Sequence, residues 1–226
     1  MAVLYAIPTP LGGSASDALS APAIERIKGI KDFAVENAKS ARAFLGAIGM
    51  PVRELNIKVM GADSDLLLSL HQQRDLGVLS EAGCPAIADP GALLIEAAHR
   101  EGFKVVPLIG PSSIVLALMA SGLEGQRFAF CGYLPREAPE RARRIRELEQ
   151  RSKRESETEI FIETPYRNDA LLGALLEACK PQTKLCIAAD LTLPGESIRT
   201  LPIEAWSRAK AVIGRRPAVF LFQATT

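Results

Sequence analysis

The sequence lacks the residues from which disulfide frameworks and metal sites are built. Its 226 residues include only four cysteines and two histidines, and none of the cysteines forms a Cys-x-x-Cys pair. Isolated cysteines are typical of a reducing compartment, and the sequence contains no recognisable metal-ligand set. We therefore expect a cytosolic protein without a resident metal ion, in which Cys131, Cys179 and Cys186 are small buried hydrophobic residues.

An excess of charge of one sign and an uninterrupted hydrophobic segment are also missing. The formal net charge is +1, so the whole chain does not have the basic composition typical of nucleic-acid-binding domains. Residues 105–123 carry no charge and are numerous enough to span a membrane, but Pro107, Gly110 and Pro111 divide them into a strand, a turn and a helix. The N-terminus has no charged region of the kind that begins a signal peptide. We expect no membrane association.

The first half of the chain contains a regular alternation of strand-like and helix-like segments. Apolar runs such as Val3–Ile7 and Leu76–Ser80 alternate with amphipathic segments such as Ser16–Ile27 and Asp63–Arg74, each of which is predicted to form one helix. This alternation is typical of a parallel sheet that is covered by helices on both faces. It predicts an α/β fold with a mostly parallel first sheet.

The second half follows a different pattern after a predicted boundary at Gly122–Gly125. Pro194-Gly195 is a short connection between the predicted strands Lys184–Asp190 and Ser197–Leu201, and short connections favour antiparallel pairing. We therefore predict two α/β domains. The first comprises residues 1–121 with a mostly parallel sheet, and the second comprises residues 122–226 with a mixed sheet.

Two segments rich in glycine, proline and serine are candidate ligand-binding loops. Ser80–Gly91 and Ile109–Ser113 each follow an apolar strand and precede a helix. In open α/β sheets, ligands bind where the strands end at their carboxyl edge, and such loops would present backbone N–H and C=O groups to a small polar ligand. Ordinary turns between strands and helices have the same composition. The pattern by itself leaves both interpretations open.

Six segments, in order along nearly the whole chain, resemble one family. They are Leu4–Gly12, Ser80–Gly91, Gly110–Ser113, Phe130–Arg136, Phe161–Arg167, and Leu191-Thr192 with Glu196. The family motifs that they resemble read ATPIGN, SDAGTPxISDPG, PGPSA, FxGFLPRK, FYEAPHR and RELTKxxEE. Through them the chain resembles the tetrapyrrole (corrin/porphyrin) methylase superfamily, and within it the branch of the small-subunit ribosomal RNA ribose 2′-O-methyltransferase. The resemblance implies two α/β domains with a cleft for S-adenosylmethionine between them, a homodimer and a cytoplasmic location.

The resemblance also implies roles for individual residues. Those implied in binding S-adenosylmethionine are Pro10, Leu11, Gly12, Gly83, Cys84, Pro85, Ala86, Ile87, Ser112 and Ser113. Tyr133 is a further candidate for packing on the adenine or on the substrate, with a core aromatic as the alternative. The polar candidates near the methyl acceptor are Glu36, Glu81, Glu163 and Arg167. For Glu163, the structural alternatives are a charge at a helix N-terminus and a surface carboxylate paired with Arg167.

The chain departs from the branch at several polar positions. Where the branch has EDTR, this chain has Glu36-Asn37-Ala38-Lys39; Gly13 stands in place of the asparagine that ends the opening motif, and Tyr166 in place of a histidine. These positions are where substrate contacts are expected, whereas the cofactor loops remain nearly complete. We expect S-adenosylmethionine as cofactor and ribosomal RNA or the small ribosomal subunit as partner. The alternatives are a small-molecule or tetrapyrrole-like acceptor, and a cofactor-binding module without turnover.

One predicted helix, Pro139–Arg154, concentrates the positive charge of the second half. Its arginines could bind phosphate groups. Its glutamates, spaced three or four residues from the arginines, equally predict a solvated face with ion pairs along the helix.

Overall fold

The computed structural model describes residues 2–61 and 65–225, and the chain divides into two compact units, Met1–Ser112 and Ser113–Thr226. Each unit contains one five-stranded sheet, which confirms the predicted α/β class with two sheets. The helix Ser113–Ser121 packs on strands of the second sheet and is therefore grouped with the second unit. The domain boundary between residues 121 and 122 stays a prediction.

The first sheet is entirely parallel. Its strands are β1 (Val3–Ile7), β2 (Asp32–Val35), β3 (Asn56–Val59), β4 (Leu76–Leu79) and β5 (Lys104–Pro107). Their order is β3-β2-β4-β1-β5, and each neighbouring pair is parallel. The helices of this unit are α1 (Ala15–Ala18), α2 (Ala21–Lys28), α3 (Ala38–Ala47), α4 (Leu68–His71) and α5 (Ala92–Arg100), with a 3-10 helix at Val52–Glu54. Because the strands share one direction, the loops that follow β1, β2, β4 and β5 all lie at the carboxyl edge of the sheet.

Both faces of the first sheet are covered, as the apolar strands predict. Every residue of β2 and β4 is buried. One face packs in a cluster around Ile7, Phe33 and Leu45, and the other in a cluster that includes Val78. Gly77 of β4 makes room for the Phe33 ring, since a Cβ at this glycine would lie 2.6 Å from Phe33 Cδ1. This double coverage leaves the ends of the strands as the accessible part of the sheet.

Two helices of the first unit differ from the sequence prediction. The segment Ser16–Ile27 forms two helices, α1 and α2, because Ser20 starts a new helix: its hydroxyl accepts a hydrogen bond from the Ala23 N–H, and Pro22 occupies the first turn. The predicted helix Asp63–Arg74 begins outside the described residues. Within the described part of that segment, only the four residues of α4 form an α-helix, and Gln73, with a φ of 60°, cannot continue it.

The second sheet is mixed. Its strands are β6 (Phe128–Tyr133), β7 (Thr158–Ile162), β8 (Lys184–Ala189), β9 (Ser197–Pro202) and β10 (Ala218–Gln223), in the order β6-β7-β10-β8-β9. Only the β6–β7 pair is parallel, which confirms both the mixed sheet and the antiparallel connection around Pro194-Gly195. The helices of this unit are α6 (Ser113–Ser121), α7 (Ala138–Glu155), α8 (Asn168–Ala178) and α9 (Ile203–Ala209), with a 3-10 helix at Pro165–Arg167.

The core of the second unit combines aromatic packing with a few buried polar anchors. Phe161 of β7 and Phe220 of β10 stack with ring centroids 6.0 Å apart. Trp206 donates a hydrogen bond from Nε1 to the Leu185 carbonyl at 2.8 Å. The buried carboxylate of Glu149 on α7 accepts hydrogen bonds from the Lys180 N–H at 2.7 Å and from the Thr183 hydroxyl at 2.5 Å. These bonds fix α7 and α9 to the strand β8 and to the loop that precedes it.

The cysteines of the second unit have two kinds of environment. Cys179 and Cys186 are buried among apolar residues, as predicted. Cys131 is only half-buried and its thiol donates to Glu159, which also pairs with Arg151. Burial, together with the neighbouring Glu159 carboxylate, raises the pKa of Cys131 to about 11. The prediction of a simple hydrophobic residue is therefore wrong for Cys131, because it belongs to a polar cluster.

Within residues 2–61 and 65–225, no helix is both long and apolar enough to cross a membrane. Over the same ranges, no group of three or more His, Cys, Asp or Glu side chains is arranged to hold a metal ion.

Candidate functional site

The three loops that follow β4, β1 and β5 are tied together at the carboxyl edge of the first sheet. Thr9 donates from its N–H to the Gly83 carbonyl at 2.9 Å, and Gly83 returns the bond to the Thr9 carbonyl at 3.0 Å. The Cys84 thiol donates to the Pro111 carbonyl at 3.4 Å. The strands β4, β1 and β5 are neighbours in the sheet. The fold therefore brings together the opening motif and both glycine-proline segments.

Two glycines allow these loops to approach each other closely. Gly83 has a φ of 78°, and a Cβ there would lie 3.2 Å from Leu11 Cδ2. A Cβ on Gly110 would lie 2.5 Å from the Cβ of Pro8 and 2.8 Å from Leu19 Cδ2, which no real side chain tolerates without movement of its neighbours. The packing therefore requires glycine at both positions, one in each of the two segments.

The loop between β4 and α5 is held in an unusual backbone conformation. Ala86 and Ala88 have φ values of 65° and 67°, a left-handed conformation that costs a residue with a side chain about 1–2 kcal/mol. The Ala86 N–H closes the loop on the Pro90 carbonyl at 3.2 Å. The N–H groups of Cys84 and Ile87 donate no hydrogen bond to any residue that the structure describes. Strained backbone is concentrated at functional sites, and these donors are free to bind a polar ligand.

Glu36 and Glu81, two of the four predicted polar candidates, lie side by side. Glu36 follows β2 and Glu81 follows β4, and these strands are neighbours. The Glu81 N–H donates to Glu36 Oε2 at 3.0 Å, and the Ser40 hydroxyl donates to Glu81 Oε1 at 3.3 Å. The Glu36 N–H is bound to the Leu79 carbonyl at 3.0 Å. Glu36 therefore holds the start of the ligand loop in place.

A third carboxylate, Asp89, belongs to the same group and was not among the predicted site residues. Burial, followed by the negative charges of Glu36 and Glu81, raises the pKa of Asp89 to about 6, and a hydrogen bond from Ser80 acts in the opposite direction. The signal in the sequence is an acidic residue inside the Ser80–Gly91 segment, which the motif comparison covered without giving it a role. Three carboxylates at one edge favour the binding of a cation.

Two departures from the branch motifs keep the local structure. Asn37 stands where the branch has aspartate, and its Oδ1 accepts hydrogen bonds from the N–H groups of Lys39 at 2.8 Å and Ser40 at 3.4 Å. It is therefore the N-cap of α3, for which asparagine and aspartate are equally suited. Gly13 has a φ of 73°, a conformation that glycine and asparagine adopt more readily than other residues. At both positions the backbone requirement explains the residue that is present.

The other predicted cofactor residues of this region differ in exposure. Pro85 is buried and Ile87 is exposed, whereas Pro10, Leu11, Gly12, Cys84, Ala86, Ser112 and Ser113 are half-buried. Burial also raises the pKa of the Cys84 thiol above its ordinary value. Cys84 is therefore a neutral hydrogen-bond donor at physiological pH and does not supply a negative charge.

Glu163, Arg167 and Tyr133 belong to the second unit and form a separate group. The Glu163 carboxylate is buried, accepts a hydrogen bond from the Thr164 N–H at 2.7 Å, and lies 3.0 Å from Arg167 Nη2. The angles of that contact are not those of a hydrogen bond, so it is an ion pair held mainly by charge. Glu163 is paired with Arg167 as the structural alternative predicts, but inside the protein rather than on its surface. Tyr133 is 59% exposed, which excludes the alternative that it is an aromatic residue of the core.

The arginine-rich helix α7 has the ion-paired surface that one of the two interpretations predicts. Arg143 and Arg144 both lie within 4 Å of Glu147, at 3.8 and 3.3 Å, and Arg154 pairs with Glu155 at 2.8 Å. Part of the positive charge of this helix is therefore compensated locally.

Comparison with known proteins gives the following likenesses in sequence. The model of the family described as Tetrapyrrole (Corrin/Porphyrin) Methylases matches residues 14–206. Ribosomal RNA small subunit methyltransferase I of Mesorhizobium japonicum is 33% identical over 205 residues, which are 89% of this chain and 68% of that protein. The protein of the same name from Halalkalibacterium halodurans is 32% identical over 219 residues, or 93% of this chain and 73% of the relative.

Two solved structures resemble the whole chain in fold. Uroporphyrin-III-C-methyltransferase from Thermus thermophilus superposes with a TM-score of 0.59 at 19% identity, covering 99% of this chain and 94% of that one. The methyltransferase CobJ superposes with a TM-score of 0.66 at 17% identity, covering 100% and 95% of the two chains. At these identities the likeness concerns the fold alone.

Proposed function

Because this chain belongs to the tetrapyrrole (corrin/porphyrin) methylase family, we propose that it transfers a methyl group from S-adenosylmethionine to a ribose 2′-hydroxyl of small-subunit ribosomal RNA. The observation that carries the proposal is the likeness to relatives named Ribosomal RNA small subunit methyltransferase I, at 33% and 32% identity over most of this chain. The tied loops and carboxylates at the carboxyl edge of the first sheet support it.

The residues at this edge fit the proposed cofactor. S-adenosylmethionine supplies a methyl group that is already activated on a positively charged sulfonium. The free N–H groups of Cys84 and Ile87 suit a polar ligand, and the carboxylates of Glu36, Glu81 and Asp89 suit a cation. We propose that residues 83–87 bind the cofactor together with Pro10, Leu11, Gly12, Ser112 and Ser113.

The acceptor side of the reaction needs positioning and a place for the hydroxyl proton. Holding two reactants in line can contribute about 7–11 kcal/mol to barrier lowering, so few catalytic side chains are needed. Glu163 and Arg167 are proposed near the acceptor, since they form an ion pair directly after β7. Glu36 and Glu81 are proposed as the carboxylates of the first unit, with Glu36 fixing the position of the loop.

The experiment that tests the proposal is the transfer of labelled methyl from S-adenosylmethionine into small ribosomal subunits prepared without their native ribose methylation. We expect label in a ribose of the RNA, identified as a 2′-O-methylnucleoside after digestion. Glu36→Ala is expected to lower the rate, whereas Glu54→Ala, which removes an exposed carboxylate of the 3-10 helix at Val52–Glu54, serves as the matched control.

Two results would contradict the proposal in different ways. Cofactor binding by calorimetry without labelled RNA would point to a small-molecule or tetrapyrrole-like acceptor, or to a cofactor-binding module without turnover. Absence of cofactor binding would contradict the proposed methyltransferase function altogether.

We also propose that the protein is a homodimer and that it is cytoplasmic. The exposed apolar side chains of the first unit support the dimer, among them Leu93 and Ile109, the latter 87% exposed. Light scattering after gel filtration measures the mass directly. A monomer at micromolar concentration would contradict this part of the proposal.

A further inference from the structure

Three loops and one strand end of the second unit lie at the same end of its sheet. Tyr133 ends β6 opposite Ile162, which ends β7, and Val219 at the start of β10 also pairs with Ile162. Ala189 at the end of β8 pairs with Ala218 of β10 and with Ser197, which begins β9. Segments 133–136, 163–167, 190–196 and 211–217 therefore lie at this end of the sheet.

Two tyrosines at this end remain exposed. Tyr166 is 77% exposed and Tyr133 is 59% exposed, although aromatic residues contribute most when they are buried. The guanidinium carbon of Arg215 lies 4.8 Å from the centre of the Tyr166 ring, within the range of a cation–π contact. Tyr133, Arg136, Tyr166 and Arg215 form what we call the arginine–tyrosine surface.

The loop that carries Arg215 is fixed on both sides of this residue. The buried Asn168 donates from Nδ2 to the carbonyls of Gly214 at 3.0 Å and Arg216 at 2.8 Å. Arg216 is bound in turn to Asp190 Oδ2 at 2.5 Å. A surface whose backbone is already ordered loses less conformational entropy when a partner binds. The contact between Tyr166 and Arg215 is therefore preorganised for a partner.

The charge of the surface selects the kind of partner. Arg167 and Arg216 are compensated by Glu163 and Asp190. Among the described residues, neither Arg136 nor Arg215 forms an ion pair, and both are exposed. The surface thus combines exposed planar groups with uncompensated positive charge. Unpaired RNA presents the complement, namely bases that stack on aromatic rings and guanidinium planes and a phosphate backbone that attracts cations.

We propose that the arginine–tyrosine surface binds an unpaired segment of the RNA substrate, with one base stacked on the Tyr166–Arg215 pair and the backbone beside Arg136. This inference rests on the proposed function, because it takes RNA as the substrate. It adds the form of RNA that is recognised, single-stranded at the contact, and the residues that recognise it. Tyr166 stands where the branch motif has a histidine, so this contact would be a feature of this chain.

The test is the binding of a short fluorescein-labelled single-stranded RNA without self-complementarity, followed by fluorescence anisotropy. We expect Tyr166→Ala to raise the Kd about 5- to 150-fold, the effect of losing one stacked base. Tyr166→Phe keeps the ring and is expected to stay within about twofold of the parent protein. The control is Arg208→Gln, which removes an arginine that is 79% exposed and lies on α9, outside the arginine–tyrosine surface.

Three results would overturn the inference. The first is an unchanged Kd for Tyr166→Ala with circular dichroism showing the native fold. The second is an equal loss of affinity for a duplex of the same sequence, which would indicate charge rather than base stacking. The third is a parallel loss of S-adenosylmethionine affinity, which would assign the surface to the cofactor. Binding is measured without methyl transfer, so Tyr166-dependent RNA binding by an inactive enzyme would reject the proposed function alone.

Discussion

Replacement of Asp89 by asparagine is expected to stabilise the free protein and to weaken cofactor binding. Asp89 sits with Glu36 and Glu81, and burial and these two charges raise its pKa from 3.8 to about 6. A shift of this size corresponds to about 3 kcal/mol at 1.36 kcal/mol per pKa unit. Since Asp89 is only half-buried, solvent screening reduces the expected gain to about 1–2 kcal/mol.

The pH dependence of this gain follows from the direction of the shift. A raised pKa means that the folded protein holds the proton more tightly than the unfolded chain does. The ionisation of Asp89 therefore destabilises the folded protein most above about pH 6, which is its pKa in the folded state. The destabilisation decreases between pH 6 and pH 3.8, which is the pKa in the unfolded chain, and is absent below pH 3.8. The stabilisation by Asp89→Asn is expected at pH 7.5, shrinks as the pH falls through 6, and disappears below about pH 4.

Asp89→Asn is expected to change the affinity for the cofactor in the opposite direction to the stability. A cation bound beside the three carboxylates relieves their mutual repulsion, so the affinity for S-adenosylmethionine should rise with pH through about 6. Asp89→Asn should lower this affinity at pH 7.5 and remove most of its pH dependence. Stability at pH 5 and 7.5 is measured by urea unfolding with far-UV circular dichroism, and affinity by calorimetry.

Glu96→Gln is the control for Asp89→Asn, because it neutralises an exposed carboxylate on α5 and should change stability by less than about 0.5 kcal/mol. The reasoning would be refuted if Asp89→Asn destabilised the protein at pH 7.5. A gain of the same size at both pH values would refute it as well.

Three further changes test other parts of the structure. Gly110→Ala is expected to lower stability by about 1–3 kcal/mol, the usual range for overpacking, because its Cβ would overlap a neighbouring proline. The control is Gly125→Ala, where an added Cβ would have nothing within 4 Å. Equal midpoints of thermal denaturation for the two variants would contradict the close approach of the loops. Glu149→Ala is expected to cost about 1–3 kcal/mol, because it leaves the buried Thr183 hydroxyl and the part-buried Lys180 N–H without their acceptor. A loss under about 0.5 kcal/mol in urea would refute the anchoring of α7. Cys84 is expected to react slowly with a thiol reagent at pH 8, because burial raises its pKa. Bound S-adenosylmethionine is expected to slow the reaction further, which mass spectrometry of the labelled peptide would measure. A labelling rate that the cofactor does not change would place the cofactor elsewhere.

The fold was predictable because its main signals are local. The apolar strands of the first half and the Pro194-Gly195 connection indicated one parallel and one mixed sheet, and both are present. The helix from Ser16 to Ile27 was predicted wrongly, since an N-cap serine in its middle starts a second helix. Hydrophobic periodicity continues across such a break, so the pattern alone does not reveal it.

The candidate site was predictable only in part. The loops containing Gly83 and Gly110 were identified from their composition and from resemblance, and the structure ties them together. The role of Asp89 depends on Glu36, which is more than 50 residues away in sequence and is brought near by the pairing of β2 with β4. No local sequence pattern reveals that these two residues are close in space.

The sequence by itself determined the α/β class, the order of the motifs and the positions of the two glycine-proline loops, because turn chemistry and hydrophobic periodicity act over a few residues. The tertiary structure alone decided which groups share an environment. The raised pKa of Asp89 and the stack of Arg215 on Tyr166 arise between segments that are distant in the chain. Electrostatic and stacking energies depend on separation in space, which is set only once the strands pair.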